Sequence, residues 1–173
     1  HFTKGKFAGV DNVLVSATGY TGSGGVEIYF EDKNENAEKI WNSIFELGSR
    51  AGLKPIVLAA RDTLRLEMGY CLYGHDIYDT TSPLEAGLGW ITKFTKVFVA
   101  KDILEDLKAE GVNKTLVGLE MLEKGIPRHD YEIKHGDGAK IGKVTSGTQS
   151  PSLNTAIAMG YGYARYDKIG NLV

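Results

Sequence analysis

Cysteine is almost absent: Cys71 is the single thiol in 173 residues. It can form no intramolecular disulfide, and no second Cys lies at metal-site spacing, so the composition suits a reducing compartment and reads as cytoplasmic. Proline is scarce too, at 4 residues, and with no Gly-X-Y period a collagen-like chain is excluded. Long apolar runs are missing. The longest, around residues 13–15 and 56–60, fall far short of the roughly 20 residues a membrane helix needs, so no membrane partner is expected. Charge of one sign is also lacking: 20 Lys+Arg against 22 Asp+Glu leave a net −2, with a pI near 6.1. No Lys/Arg-rich stretch is interleaved with aromatics, so nothing here marks a nucleic-acid partner. The opening His1-Phe-Thr-Lys-Gly-Lys-Phe7 has no initiator Met and neither region of a signal peptide, so the chain reads as starting in mid-protein, beyond any targeting signal.

What is present is a globular composition, 42% hydrophobic and 24% charged, with Gly at 22 residues against a usual share of about 7%. Without a collagen period those glycines serve turns and bulges, which favours a β-rich chain. Val13, Val15 and Ala17 alternate with Leu14 and Ser16. Val26, Ile28 and Phe30 resume the period of two after a Gly-rich break, predicting a β-hairpin with a long connection. Ala37, Ile40, Trp41, Ile44 and Leu47 recur at three and four, predicting an amphipathic helix over 34–48 closed at Gly48. A second helix is expected over 57–67, an ordered loop over 69–89, and a short charged helix over 102–110 ended by Gly111. Beyond it, alternating runs at 116–121, 131–134, 140–146 and 157–165 have the pattern of a small β-barrel or sandwich, and 171–173 reads as the start of another strand. The fold class expected is α+β, with a domain division at 1–93 and 94–173.

Spacing supports few chemical assignments. The stretch Gly19-Tyr-Thr-Gly-Ser-Gly-Gly25 matches no nucleotide-binding loop and runs into a strand instead of a helix. Cys71 and His75 stand four apart, yet Gly69 and Gly74 argue against a helix there, and a structural thiol is the plainer reading. His75, Asp76 and Asp79 form no recurrent ligand pattern, so no metal ligands are assigned. Tyr20 and Glu27 around the Gly-rich turn, with Arg61 and Tyr70 further on, are the sharper grouping. Periodicity alone leaves Glu27 either a solvated strand carboxylate or a ligand group, and Arg61 either a partner of Asp62 or Glu67 or a ligand group.

Several stretches in order carry a resemblance. Ala17-Thr-Gly-Tyr-Thr-Gly-Ser-Gly-Gly-Val-Glu-Ile28, Leu58-Ala-Ala-Arg-Asp-Thr-Leu-Arg-Leu-Glu67 and Leu72-Tyr-Gly-His-Asp76 are three of them. Thr81-Ser-Pro-Leu-Glu-Ala-Gly-Leu-Gly-Trp90, Gly125-Ile-Pro-Arg128 and Val144-Thr-Ser-Gly-Thr-Gln-Ser-Pro-Ser-Leu153 complete the set. Together they resemble the aminomethyltransferase (T-protein) family of the glycine cleavage system, in its C-terminal portion and over nearly the whole chain. The resemblance implies part of a folate-binding α/β domain followed by a C-terminal β-barrel. It implies transfer of a methylene carbon from the aminomethyl-lipoyl arm of the H-protein to tetrahydrofolate, with release of ammonia. Carried over by motif, Glu27 is the pterin-binding carboxylate, Tyr20 packs beside the pterin, Arg61 is a folate-binding arginine, and Tyr70 matches a fourth binding position. The family's catalytic aspartate belongs to an N-terminal portion that this chain does not contain, so no catalytic residue is assigned and the chain alone is expected to be inactive. Asp62 and Asp76 read as structural, and Ser23 stands where the family commonly has an acid. Two other readings remain at this point: a non-enzymatic folate-binding relative assisting iron-sulfur cluster assembly, and the folate domain of an amine dehydrogenase or oxidase. The Lys-Gly-Cys-Tyr signature of the former is not matched by Gly69-Tyr-Cys-Leu-Tyr-Gly-His75.

Overall fold

The computed structural model describes residues 1–173 and divides into two compact units, His1–Leu64 and Arg65–Val173. The first holds a three-stranded antiparallel sheet in the order β1-β2-β3, from β1 (Phe2–Phe7), β2 (Val10–Ser16) and β3 (Glu27–Tyr29). β2 and β3 are the hairpin that alternation predicts. β1 escapes that reading because Lys4, Gly5 and Lys6 blur its period. It joins β2 through Ala8 and Gly9, both at positive φ, with Gly9 supplying the left-handed conformation at no steric cost.

Cross-strand register sorts the two sheet faces. Thr3, Val15 and Ile28 lie in one row and Gly5 with Val13 in the next, while Phe2, Ser16 and Glu27, and Lys4, Leu14 and Tyr29, form the rows of the opposite face. The first face carries the core. Val10, Val13 and Ile40 are buried there, with Val15, Ile28 and Ile44 packed against them. Ile40 and Ile44 come from α1 (Asn36–Gly48), one helical turn apart as their spacing requires. The chain leaves α1 through a short 3₁₀ turn and Gly52, whose φ of 79° lets it reverse direction. α2 (Leu58–Glu67) begins in the first unit and supplies the opening residues of the second.

In the second unit, residues 68–100 run as a succession of turns. Ser82 and Glu85 exchange reciprocal bonds, Glu85 N–H to Ser82 Oγ at 3.1 Å and Ser82 N–H to Glu85 Oε2 at 3.0 Å, the logic of a capping box used in a loop. α3 (Lys101–Glu110) follows and stops at Gly111. β4 (Lys114–Glu120), β5 (Glu132–Lys134), β6 (Lys140–Gln149) and β7 (Ala156–Tyr163) then form one antiparallel sheet in the order β4-β7-β6-β5. Ile133, Ile141, Val144 and Ala158 make one buried cluster. Leu66 of α2 makes another with Ile157 and Met159, against Cys71 and Leu116. The strand expected at 171–173 is not formed; those residues make no ladder pairing, and without a partner strand alternation alone cannot hold extended backbone.

Candidate functional site

The far face of the first sheet is where the grouped residues meet. Glu27 opens β3 opposite Ser16, and its carboxylate accepts the hydroxyl of Thr18, a residue of the Gly-rich connection. Thr18 Oγ1 also lies 3.1 Å from Ser16 Oγ, so the Ser16 hydroxyl can donate to Thr18 while Thr18 donates to Glu27. Tyr29, two residues along the same face, brings its phenol to the same carboxylate. Thr18, then Tyr29, and at longer range the Arg61 guanidinium hold Glu27 below the usual carboxylate range. The reciprocal effect pushes the Tyr29 phenol up, because ionising it beside Glu27 would place two anions together. Arg61, from α2, stacks over the Tyr20 ring at 4.6 Å from its centroid, an arrangement a planar guanidinium suits.

Tyr20, Glu27 and Arg61 therefore stand together on one unit. Tyr70 belongs to the second unit, in the turn after α2, and is 39% exposed. Its carbonyl accepts Arg65 Nη1 at 3.0 Å. Sequence reasoning found Glu27 but not Thr18 or Tyr29. The signal for Tyr29 was its i+2 spacing from Glu27; Thr18 had none, because only the folded connection returns it to β3.

A second polar centre lies inside the second unit, and sequence reading singled out only one of its members. Arg65 and Asp76 are 1% and 0% exposed and form an ion pair. Asp76 Oδ2 also accepts the Leu72 N–H at 2.9 Å, and Oδ1 accepts the hydroxyls of Ser146 at 2.8 Å and of Thr145. Consecutive strand residues normally face opposite ways; the register shift between Val144 and Ser146 lets both 145 and 146 reach the same carboxylate. Arg65 Nη2 closes the ring on Ser146 Oγ at 2.8 Å. The centre is sealed and fully bonded, a structural lock, which agrees with the reading of Asp76 as structural. Nearby, Glu67 accepts the hydroxyls of Ser150 and Ser152, and these bonds hold it below the usual carboxylate range. Cys71 is half-buried, and burial pushes its thiol up, away from nucleophilic character. No cluster of three or more His, Cys, Asp or Glu side chains is arranged to hold a metal ion, and no helix is long and apolar enough to cross a membrane.

Residues 1–96 match the family described as the GCVT N-terminal domain, and residues 114–173 the glycine cleavage T-protein C-terminal barrel domain. An aminomethyltransferase of Flavobacterium psychrophilum is 66% identical over 92% of this chain and 44% of its own length. One from Bacteroides fragilis is 58% identical over 98% of this chain and 47% of its own. The crystal structure of glycine cleavage system aminomethyltransferase T from Bartonella henselae superposes with a TM-score of 0.82 at 31% identity, covering 92% of this chain and 44% of that one. The chain thus spans a little under half the length of the relatives it matches.

Proposed function

The chain belongs to the glycine cleavage T-protein family, and from that premise we propose that it is the C-terminal portion of a tetrahydrofolate-dependent aminomethyltransferase. In the full-length protein the reaction moves the methylene carbon from the aminomethyl group on the lipoylated H-protein to tetrahydrofolate, releasing ammonia, in one-carbon metabolism of the cytoplasm. Support comes from the relatives, whose names are those of aminomethyltransferases. Neither the iron-sulfur assembly reading nor the amine dehydrogenase reading has such support. The proposed domain division remains 1–93 and 94–173.

The observation that carries the folate reading is the half-buried Glu27 carboxylate at the start of β3, which accepts the Thr18 hydroxyl and is held below the usual carboxylate range. The pterin edge offers an adjacent ring N–H and amino group, and an ionised carboxylate is an acceptor-only, two-oxygen partner for that pair. Tyr20 offers a ring for packing, stiffened by Arg61 stacked on it. Arg61 in turn has donors for a pterin carbonyl or a folate carboxylate. Tyr70 is the fourth proposed contact. Tetrahydrofolate supplies the nitrogens that receive the carbon; these side chains bind and orient it.

Glu27→Gln in the full-length protein tests this. The amide keeps the shape but turns one acceptor into a donor that faces a pterin N–H. Hydrogen bonds to a charged group are worth about 1.5 to 3 kcal/mol each, so folate affinity should fall roughly tenfold to a few hundredfold. Isothermal titration of tetrahydrofolate into wild type, Glu27→Gln and the surface control Glu105→Gln reads the result. Equal affinity in all three would return Glu27 to the solvent.

A further inference from the structure

A carboxylate accepts about four hydrogen bonds, and the chain's own donors take only part of that capacity at Glu27. Thr18 donates to Oε2 from the connection that precedes β3, and Tyr29 reaches the same carboxylate from along the strand. Thr18 is itself backed by Ser16, the cross-strand neighbour of Glu27. The Thr18 bond from the connection holds the carboxylate, the Tyr29 phenol beside it adds to that hold, and room is left for about two more donors. That number fits a ligand edge with two adjacent N–H donors.

We propose that Thr18 and Tyr29 are positioning residues for the pterin, holding Glu27 so that its free acceptor sites present one edge to the ligand, a role that rests on the folate reading of this face. Neither hydroxyl needs to touch the ligand. Each uses its single proton on Glu27, so what it contributes is orientation and a preference for the ionised form. Side chains without a hydroxyl would let the carboxylate rotate and make its protonation easier. The charged and titratable groups facing Glu27 are Tyr29 on its own strand and Arg61 from α2, and both remain when Thr18 is changed.

The sign of the pH effect follows. Thr18 lowers the Glu27 pKa, so binding that needs the carboxylate survives into acid in the wild type, and removing the donor moves the acid limb of the binding profile to higher pH. The experiment is tetrahydrofolate titration from about pH 4 to 8 under anaerobic conditions, on the full-length wild type, Thr18→Val, Thr18→Ser, Tyr29→Phe and Glu27→Gln, each checked for a native thermal transition. Thr18→Val and Tyr29→Phe should each weaken binding about five- to thirtyfold at neutral pH. Thr18→Val should shift its acid limb upward, and Thr18→Ser should restore both readouts. Wild-type affinity and an unmoved limb in Thr18→Val, with Glu27→Gln weakened, overturns the positioning role and leaves the folate reading standing. Equal weakening at every pH without rescue by Ser also overturns it, because that is how a purely structural threonine behaves. Wild-type binding by Glu27→Gln removes the folate reading, and the positioning role with it.

Discussion

Asp76 and Glu27 spend their hydrogen-bonding capacity differently, and the difference fits a structural role for the first and the binding role proposed for the second. Asp76 is filled by Arg65, the Leu72 N–H, Thr145 and Ser146, all of them within the fold. Nothing remains to offer a ligand. Glu27 takes Thr18, with Tyr29 beside it, and is only half-buried. Asp76→Asn should therefore act on stability. It leaves the Arg65 charge, 1% exposed, without its counter-charge in a site that water does not reach. Breaking a buried pair from one side costs about 3 to 5 kcal/mol. A urea titration should show the midpoint falling with the slope unchanged, and a loss under about 1 kcal/mol would mean that the site opens to water when the charge is removed.

Among the elements, the helices and the β2–β3 hairpin were legible because their apolar positions repeat at the period of the structure they form. Ile40 and Ile44 of α1, and Val13, Val15 and Ile28 of the sheet, share one cluster, as their spacing demands. β1 was not legible, since its lysines and glycine carry no alternation and its place is set by pairing with β2. The Arg65–Asp76 centre was legible only in part. Asp76 could be read as a loop hydrogen-bonder, but its partners at 145 and 146 lie about seventy residues away, and the bulge that presents both has no local sequence signal. Of the candidate site, Tyr20, Glu27 and Arg61 came from a family resemblance, because spacing left each with an ordinary alternative. Glycines in strands separate close approach from mere tolerance. A Cβ at Gly147 of β6 would meet the Pro127 carbonyl oxygen at 2.2 Å, a backbone atom with little freedom to yield, whereas a Cβ at Gly118 of β4 meets nothing within 4 Å. Gly147→Ala should cost about 1 to 3 kcal/mol through overpacking. Gly118→Ala should be neutral or stabilise by up to about 1 kcal/mol, because alanine loses less backbone entropy on folding. Thermal melts of the two variants should shift in opposite directions or differ clearly in size, and matching shifts would contradict the packing seen at Pro127.

At the scale of the whole molecule, the family matches end at residue 96 and resume at 114, while the compact units divide between Leu64 and Arg65. The difference has a physical origin in residues 65–93, which are tied to the strands that follow. Leu66 packs on Ile157 and Met159, Arg65 and Asp76 engage Thr145 and Ser146, and Glu67 holds Ser150 and Ser152. The Leu116 N–H adds a bond to the Glu85 carbonyl at 2.9 Å. Under the proposed division, residues 94–173 form a domain with a core of their own around Ile133, Ile141, Val144 and Ala158. That piece alone should show a cooperative thermal transition. Residues 65–173 should melt higher, because removing the 65–93 segment uncovers Ile157 and Met159, strips the Ser146 hydroxyl of Arg65 and Asp76, and takes Asp76 from Thr145. Losing a leucine-sized side chain from a core costs about 2 to 5 kcal/mol, and each kcal/mol moves the midpoint of a domain of 60–100 residues by roughly 4 to 8 °C. The two pieces should therefore differ by at least about 8 °C. Differential scanning calorimetry on both decides the boundary: a cooperative transition in 65–173 with none in 94–173 would move it from 93/94 to 64/65, and make the loop after α2 part of the C-terminal domain.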